Sequence, residues 1–485
     1  MPTKPNFPPA HQFDMFHEIS EKWRLGRSTW GLPVPSTYAI VKRQRPGTDR
    51  ATSCMPSLLL VTAAFAPSQW IGARRPERMA LHLPRLGWQV TVLTLHPAYV
   101  PPLDSNLRYV GDAELVHTHA AMPRLAARKL RDLSHRWLPK RAQSTVVTQG
   151  LGAGDRPPPQ PTLARWGGHL DHVVRQVEFP DEHIGWAPFA YAAVRGRRFD
   201  VVLATIPPFS AAVVAQRLAH HCQAKSVIDY RDSWTEVVAL AGDDAATHRH
   251  RQAEDKLLGQ ADLVVGVTPT LVDRLQPRTH APVAFIPNAI DDPLPAAPLP
   301  DHPRIAYVGS LAYGRDLQPI FRAMASLRQD HGTTVRCSYA GPHAALAMAQ
   351  ATEASVADLL DVQGQITLQA ALQLVDGANA GVVISSPGYE YAWPGKIFEI
   401  LGRGRPLLAM GPADSEVVRM PRQFGLGWGH TPTDHQGLLA TLRAIAAGQS
   451  PDLAAIAQFS AAATMRDLAA ALQQVLAAPP RHLHS

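Results

Sequence analysis

Three short stretches of the sequence carry residue types that can hold an anion or move a proton. In Val308-Gly309-Ser310-Leu311-Ala312-Tyr313-Gly314-Arg315-Asp316 the glycines let the backbone approach an anion, Arg315 supplies charge, and the helix expected next offers free N–H groups at its start. A phosphate-sized ligand fits that description. The stretch is neither a Walker A loop nor GxGxxG, however, and also reads as a plain structural turn. In Tyr391-Ala392-Trp393-Pro394-Gly395-Lys396-Ile397-Phe398-Glu399, Lys396 and Glu399 stand three residues apart and share one face near a helix start. A lysine there opposes the helix dipole unless an anion sits beside it, and Lys396 is the only lysine after Lys256. The alternative is an ordinary intrahelical Lys/Glu pair. The third stretch, Asp229-Tyr230-Arg231-Asp232-Ser233-Trp234-Thr235-Glu236, is paired with Ala204-Thr205-Ile206-Pro207-Pro208-Phe209. Together they place charged and aromatic residues at two strand ends, as a polar site or as an Asp/Arg pair holding two loops together. Asp232, Asp181 and His183 are candidates for orienting or deprotonating a hydroxyl.

The elements that must position these loops follow from the apolar pattern. Leu58 to Thr62 reads as a buried strand, a helical stretch runs to Gly87, and Gln89-Val90-Thr91-Val92-Leu93-Thr94 reads as the next strand, a β-α-β opening. Further strands are expected at Val201-Val202-Leu203-Ala204, Ser226-Val227-Ile228-Asp229, Leu263-Val264-Val265-Gly266-Val267 and Val283-Ala284-Phe285-Ile286. After a Pro-rich link the cycle restarts at Arg304-Ile305-Ala306-Tyr307-Val308-Gly309. A helix with Leu317, Ile320, Phe321, Met324 and Leu327 on one face follows, then strands at Gly381-Val382-Val383-Ile384 and Pro406-Leu407-Leu408-Ala409-Met410. Short apolar strands alternating with helices predict α/β architecture with parallel sheets, here two facing Rossmann-like domains with a cleft beyond the carboxyl ends of their strands. The expected division is a flexible extension over 1–55, a first domain over 56–286, a linker over 287–303, a second domain over 304–455, and a final helix and tail over 456–485. That helix, near Ser460 to Leu476, is long enough to pack back across the hinge.

With 485 residues, 46% hydrophobic and 18% charged, the chain can bury a large core, which excludes both a single small module and wholesale disorder. Net charge is +7, which points to anionic partners. Cys54, Cys222 and Cys337 are far apart, so neither a disulfide framework nor a zinc site is expected, and a reducing cytoplasm fits. No apolar run is long enough to span a bilayer. Arg124, Arg128, Lys129, Arg131, Arg136, Lys140 and Arg141, interleaved with Leu125, Leu130, Leu133 and Trp137, would form a basic amphipathic face suited to an anionic membrane surface, or a solvated helix packed on its own domain. No nucleic-acid-binding motif accompanies it.

Leu58 to Thr94 with its Phe65-Ala66-Pro67 and Gly72 loop, Thr205-Ile206-Pro207-Pro208-Phe209-Ser210, Arg231-Asp232-Ser233-Trp234, Ile286-Pro287-Asn288-Ala289-Ile290-Asp291, Tyr307-Val308-Gly309-Ser310-Leu311 and Pro394-Gly395-Lys396-Ile397-Phe398-Glu399 together resemble the GT-B glycosyltransferases of family 4, from about Met55 to about Gly427. The resemblance implies an acceptor-binding first domain, a nucleotide-sugar-binding second domain, and transfer that retains anomeric configuration. It implies a nucleoside-diphosphate sugar as co-substrate, with no further cofactor. The family often clamps the donor diphosphate with Arg one residue after the strand-end Gly and Lys five residues later. Here those positions are Ser310 and Arg315, with Lys396 able to replace the missing cation. In the family's E-x7-E motif the second Glu, expected on the ribose, corresponds to Glu399, and the first falls on Tyr391.

On this reading Arg315, Lys396, Asp232 and His183 carry the chemistry, while Gly72, Gly309, Ser310, Gly314, Tyr391 and Glu399 bind the donor. Absence of any Asp-x-Asp agrees with metal-independent transfer. The expected role is transfer to a glycan or lipid-linked acceptor in surface or exopolysaccharide synthesis, in the cytoplasm or at the inner membrane face. A nucleotide-sugar epimerase and a non-catalytic nucleotide-sugar-binding subunit remain as alternatives.

Overall fold

In the computed structural model, which describes residues 55–100, 102–104, 108–122, 178–240, 242–291 and 297–479, the apolar runs become the inner strands of two parallel sheets. The first holds β1 (Ser57–Val61), β2 (Gln89–Leu95), β3 (Glu114–Thr118), β4 (Val201–Ile206), β5 (Lys225–Tyr230), β6 (Leu263–Gly266) and β7 (Val283–Phe285), in the order β3-β2-β1-β4-β5-β6-β7. The second holds β8 (Arg304–Val308), β9 (Arg336–Ala340), β10 (Leu360–Val362), β11 (Ala380–Ile384), β12 (Leu407–Met410) and β13 (Gly427–His430), in the order β10-β9-β8-β11-β12-β13. Every pairing is parallel. The order reverses between β1 and β4 and again between β8 and β11, and open α/β sheets leave a ligand crevice at that kind of switch point.

Burial on both faces explains why the inner strands are continuous apolar runs rather than alternating ones. In β1, Leu59 and Val61 join one core cluster while Leu58 and Leu60 join the cluster on the opposite face. The helices that matter for the site are α1 (Arg74–His82), α2 (Ser210–Cys222), α3 (Pro269–Leu275), α4 (Gln318–His331), α5 (Lys396–Gly402), α6 (Glu416–Gln423) and α7 (Ala461–Ala477). Leu317 and, on α4, Ile320, Phe321, Met324 and Leu327 are all fully buried in the second domain.

The chain passes between the domains twice. It leaves the first sheet near Ile286, and after the second sheet α7 brings Met465, Leu468, Leu472 and Val475 into the cluster that contains Met79, Leu83 and Trp88 of the first domain. The two crossings are tied together: Ile290 N–H donates to Phe459 O at 2.8 Å, and Ala461 N–H donates to Ile290 O at 2.8 Å. Ser460 caps α7 by accepting from Ala463 N–H. Cys222 and Cys337 are buried free thiols. Among the described residues no helix is long and apolar enough to cross a membrane. The expected extension before Met55, Cys54, the loop over 142–161 and the basic face from Arg124 to Arg141 lie outside the described residues.

Candidate functional site

The carboxyl ends of both sheets face a cavity of about 490 Å³. The first domain contributes Ile71, Gly72, Arg74, Arg231 and Asp232, the connection contributes residues 288–291, and the second domain contributes Arg315, Ser385, Ser386 and Glu399. Ile71, 71% exposed despite its apolar side chain, projects toward Gly395 across the cleft.

Two arginines build the first-domain wall. Arg75, on α1, is buried and bidentate on Asp229 at the end of β5, with Nε–Oδ2 at 2.9 Å and Nη2–Oδ1 at 2.7 Å. It also donates to Pro287 O at 2.8 Å and Ile286 O at 2.9 Å, so one guanidinium ties α1, β5 and the start of the interdomain connection. Arg231 donates to Gly72 O, Ile206 O and Pro207 O. Burial lowers its pKa to about 10, against the pull of Asp229 and Asp232. A Cβ on Gly72 would fall 2.2 Å from the Arg231 guanidinium, so any side chain there would have to displace it. Arg231 therefore holds two loops together, but through backbone carbonyls, and Asp232 makes no hydrogen bond among the described residues. Burial raises the Asp232 pKa, with Arg231 opposing. A partly desolvated carboxyl facing a cavity is able to take a proton.

Asp181 and His183 stand apart from this wall. Asp181 Oδ2 accepts the Ser210 N–H at the start of α2 at 2.8 Å, and Oδ1 accepts His183 N–H at 3.0 Å. Burial alone would raise the Asp181 pKa, but the His183 and Ser210 interactions win and hold it below the ordinary value. Asp181 thus caps a helix, with His183 beside it. His183 packs edge-on to Trp70, ring centroids 6.1 Å apart, and does not line the cavity.

In the second domain, Arg315 reaches the cavity wall and donates weakly to Ser310 O at 3.5 Å, while its buried Nε has no partner. Lys396, the first residue of α5, lies just behind Gly395 of the lining. Its ammonium donates to Val308 O at 3.2 Å and lies 4.9 Å from the Tyr307 ring centroid. Gly309, at φ +145°, leaves room for it, since a Cβ there would lie 2.8 Å from Nζ. Burial, reinforced by Arg315, lowers the Lys396 pKa to about 8, and Glu399 only partly offsets this. Neither Arg315 nor Lys396 forms a salt bridge among the described residues. Two unneutralised cations at strand carboxyl ends are suited to an anion. Glu399 lines the cavity, its pKa raised by desolvation against Lys396 and Arg74.

The remaining sequence-predicted residues support the loop. Ser310 Oγ lies 3.3 Å from His343 Nδ1 and accepts Ala312 N–H at 3.0 Å, and Gly314 lies against Pro387. Tyr391 faces the domain contact: its carbonyl accepts from Thr268 Oγ1 at 2.7 Å, Arg274 lies 5.6 Å from its ring centroid, and its buried hydroxyl has no partner. Beside it, Glu416 at the start of α6 accepts Thr270 N–H of α3 at 2.8 Å and Trp393 Nε1–H at 3.0 Å, so a carboxylate that is 2% exposed links the two domains. Sequence reasoning missed Arg75, Glu416, Ser385 and Ser386. The serines directly follow an apolar strand run, and that position was the available signal. Among the described residues no group of three or more His, Cys, Asp or Glu is arranged to hold a metal ion.

Two parallel-sheet α/β domains facing across a cleft define the GT-B architecture. The N-terminal domain of trehalose-6-phosphate phosphatase from Candida albicans is similar in fold, with a TM-score of 0.51 at 10% identity, over 88% of this chain and 98% of that one. Also similar are the lipopolysaccharide outer core galactosyltransferase WaaB in its apo form (TM-score 0.49, 11% identity, 87% of this chain and 99% of that one) and HepE of Anabaena in complex with UDP-glucose (0.46, 13%, 86% and 99%). No family model matches the chain and no curated protein matches its sequence.

Proposed function

We propose that the chain is a metal-independent, retaining glycosyltransferase that moves a sugar from a nucleoside-diphosphate donor to a glycan or lipid-linked acceptor. The observation that carries this is the pair Arg315 and Lys396, which repel one another and form no salt bridge among the described residues, with Arg315 lining the same interdomain cavity as Asp232 and the Lys396 ammonium at the end of β8. In the reaction the bond between the anomeric carbon and the diphosphate oxygen breaks, and a bond to the acceptor oxygen forms. Negative charge grows on the leaving diphosphate. Arg315 and Lys396 stabilise it, and because they are already in place they need no reorganisation. Asp232 orients the acceptor hydroxyl, whose proton leaves to this carboxylate or to the departing phosphate. Glu399 accepts from the ribose hydroxyls, as the family resemblance implies.

The experiment is turnover of Arg315→Ala and Lys396→Ala with the preferred donor from a panel of nucleotide sugars. Each should lose about 100-fold or more, the scale of removing one preorganised group at a developing charge. Near-wild-type rates in both would remove the clamp and the reading with it.

A further inference from the structure

β11 is followed directly by two serines whose hydroxyls have no partner among the described residues. Ser385 is 6% exposed and Ser386 3%, and neither Oγ makes a hydrogen bond among the described residues. Two of their backbone groups are paired without the side chains: Ser385 N–H donates to Met410 O at 2.9 Å, and Ser386 O accepts Tyr389 N–H at 3.1 Å. A buried hydroxyl left unpaired is costly, and alanine would fit the same backbone without that cost. Both residues line the cavity, and their oxygens, closed off in the ligand-free protein, would reach an entering ligand by side-chain rotation. A serine hydroxyl both donates and accepts, and it moves among three staggered positions by rotation about one bond.

The position of the pair says which part of a ligand it meets. β11 is the neighbour of β8, in register Ala380↔Ile305 and Gly381↔Ala306, and Arg315 and Lys396 stand at the end of β8. The cavity lining includes no residue of β9 or β10; it includes instead Ser385 and Ser386 and, from the first domain, Gly72 and Asp232. A group attached to a diphosphate at β8 and directed toward Asp232 therefore passes the serines. In a donor that group is the sugar, because it must face the acceptor. Glu390 of this loop accepts Gly388 N–H at 2.9 Å and does not line the cavity.

We propose that Ser385 and Ser386 are the specificity-determining pair for an uncharged polar group, a hydroxyl or an amide, on the donor sugar. The proposal rests on the donor reading above. Sites that hydrogen-bond a substrate hydroxyl reject the analogue that lacks it, because the protein's own polar groups are then left unpaired.

The test is titration calorimetry of wild type and of the double variant S385A/S386A. The probes are the nucleoside diphosphate that most raises the Tm in a panel of UDP, GDP, ADP and CDP, its nucleotide sugars, and their deoxy-sugar analogues. The double variant should bind the preferred nucleotide sugar about 10-fold more weakly or worse, while the diphosphate alone binds as before. Wild type should discriminate against one deoxy analogue, and the double variant should not. The ligand-free Tm of the double variant should equal or exceed that of wild type, because two unpaired hydroxyls are gone. Unchanged nucleotide-sugar affinity, equal losses for diphosphate and nucleotide sugar, or a lowered ligand-free Tm would each overturn the assignment. A wild type that binds neither probe would instead remove the donor reading, and this assignment with it.

Discussion

Affinity for a nucleoside diphosphate should fall as pH rises from 7 to 9, and Lys396 should be the cause. Its pKa, lowered to about 8 by burial and by Arg315, means that the ligand-free site is about nine-tenths protonated at pH 7 and about one-tenth at pH 9. A bound diphosphate favours the ammonium and holds it charged across that window. Binding at pH 9 must therefore include uptake of a proton that the site already carries at pH 7, which weakens it by about 10-fold, or about 1.4 kcal/mol. The second ionisation of a phosphate monoester lies near pH 6, so the ligand does not titrate in this range. For the ligand-free protein the sign is opposite. The folded pKa lies below the ordinary 10.5, so between about pH 8 and 10.5 the unfolded chain binds more protons, and stability rises with pH through this group. Calorimetric titration with the best-binding diphosphate at pH 7, 8 and 9 reads the affinity, in wild type and in Lys396→Arg, whose guanidinium stays charged throughout. A flat wild-type profile, or the same slope in both proteins, would refute the reasoning.

Three further outcomes are expected. Arg75→Met strands Asp229 as an unpaired buried charge and should cost about 3–5 kcal/mol, read by chemical unfolding. Glu416→Ala leaves Thr270 N–H without its acceptor, while Trp393 Nε1–H keeps the backbone carbonyl of residue 416 at 3.2 Å. It should lower stability by about 1–3 kcal/mol and enlarge the radius of gyration in solution scattering as the domain contact loosens. Asp232→Asn should reduce turnover by about 10²- to 10⁴-fold while leaving diphosphate affinity unchanged, which separates proton handling at the acceptor from grip on the donor.

The inner strands were legible in the sequence because both of their faces are buried, which writes a continuous apolar run: Leu58-Leu59-Leu60-Val61 and Val201-Val202-Leu203-Ala204 are fully buried. β3, β10 and β13 were not, and each is an edge strand. Edge positions are partly solvated, so Glu114-Leu115-Val116-His117-Thr118 and Gly427-Trp428-Gly429-His430 carry no such run. β9, one strand in from an edge, opens with Arg336, which reaches Asp361 of β10, and its polar start hid it. In the site, Lys396 and Arg315 were conspicuous as cations next to glycines. Tyr391 was not readable in the same way, because its surroundings come from Thr268 and Arg274, which are more than a hundred residues away in sequence. Ser385 and Ser386 look like any polar loop until the burial of their oxygens is known.

The return of α7 to the first domain makes the second domain, in effect, a long insertion between two parts of the first. During synthesis the face of the first sheet that receives Met465, Leu468, Leu472 and Val475 stays bare until the second sheet and α7 have emerged, so the earlier-made domain is the later one to be completed. Two strands of connection, hydrogen-bonded at Ile290, also join the domains side by side, so that any rotation between them is hinged there instead of about a single free linker.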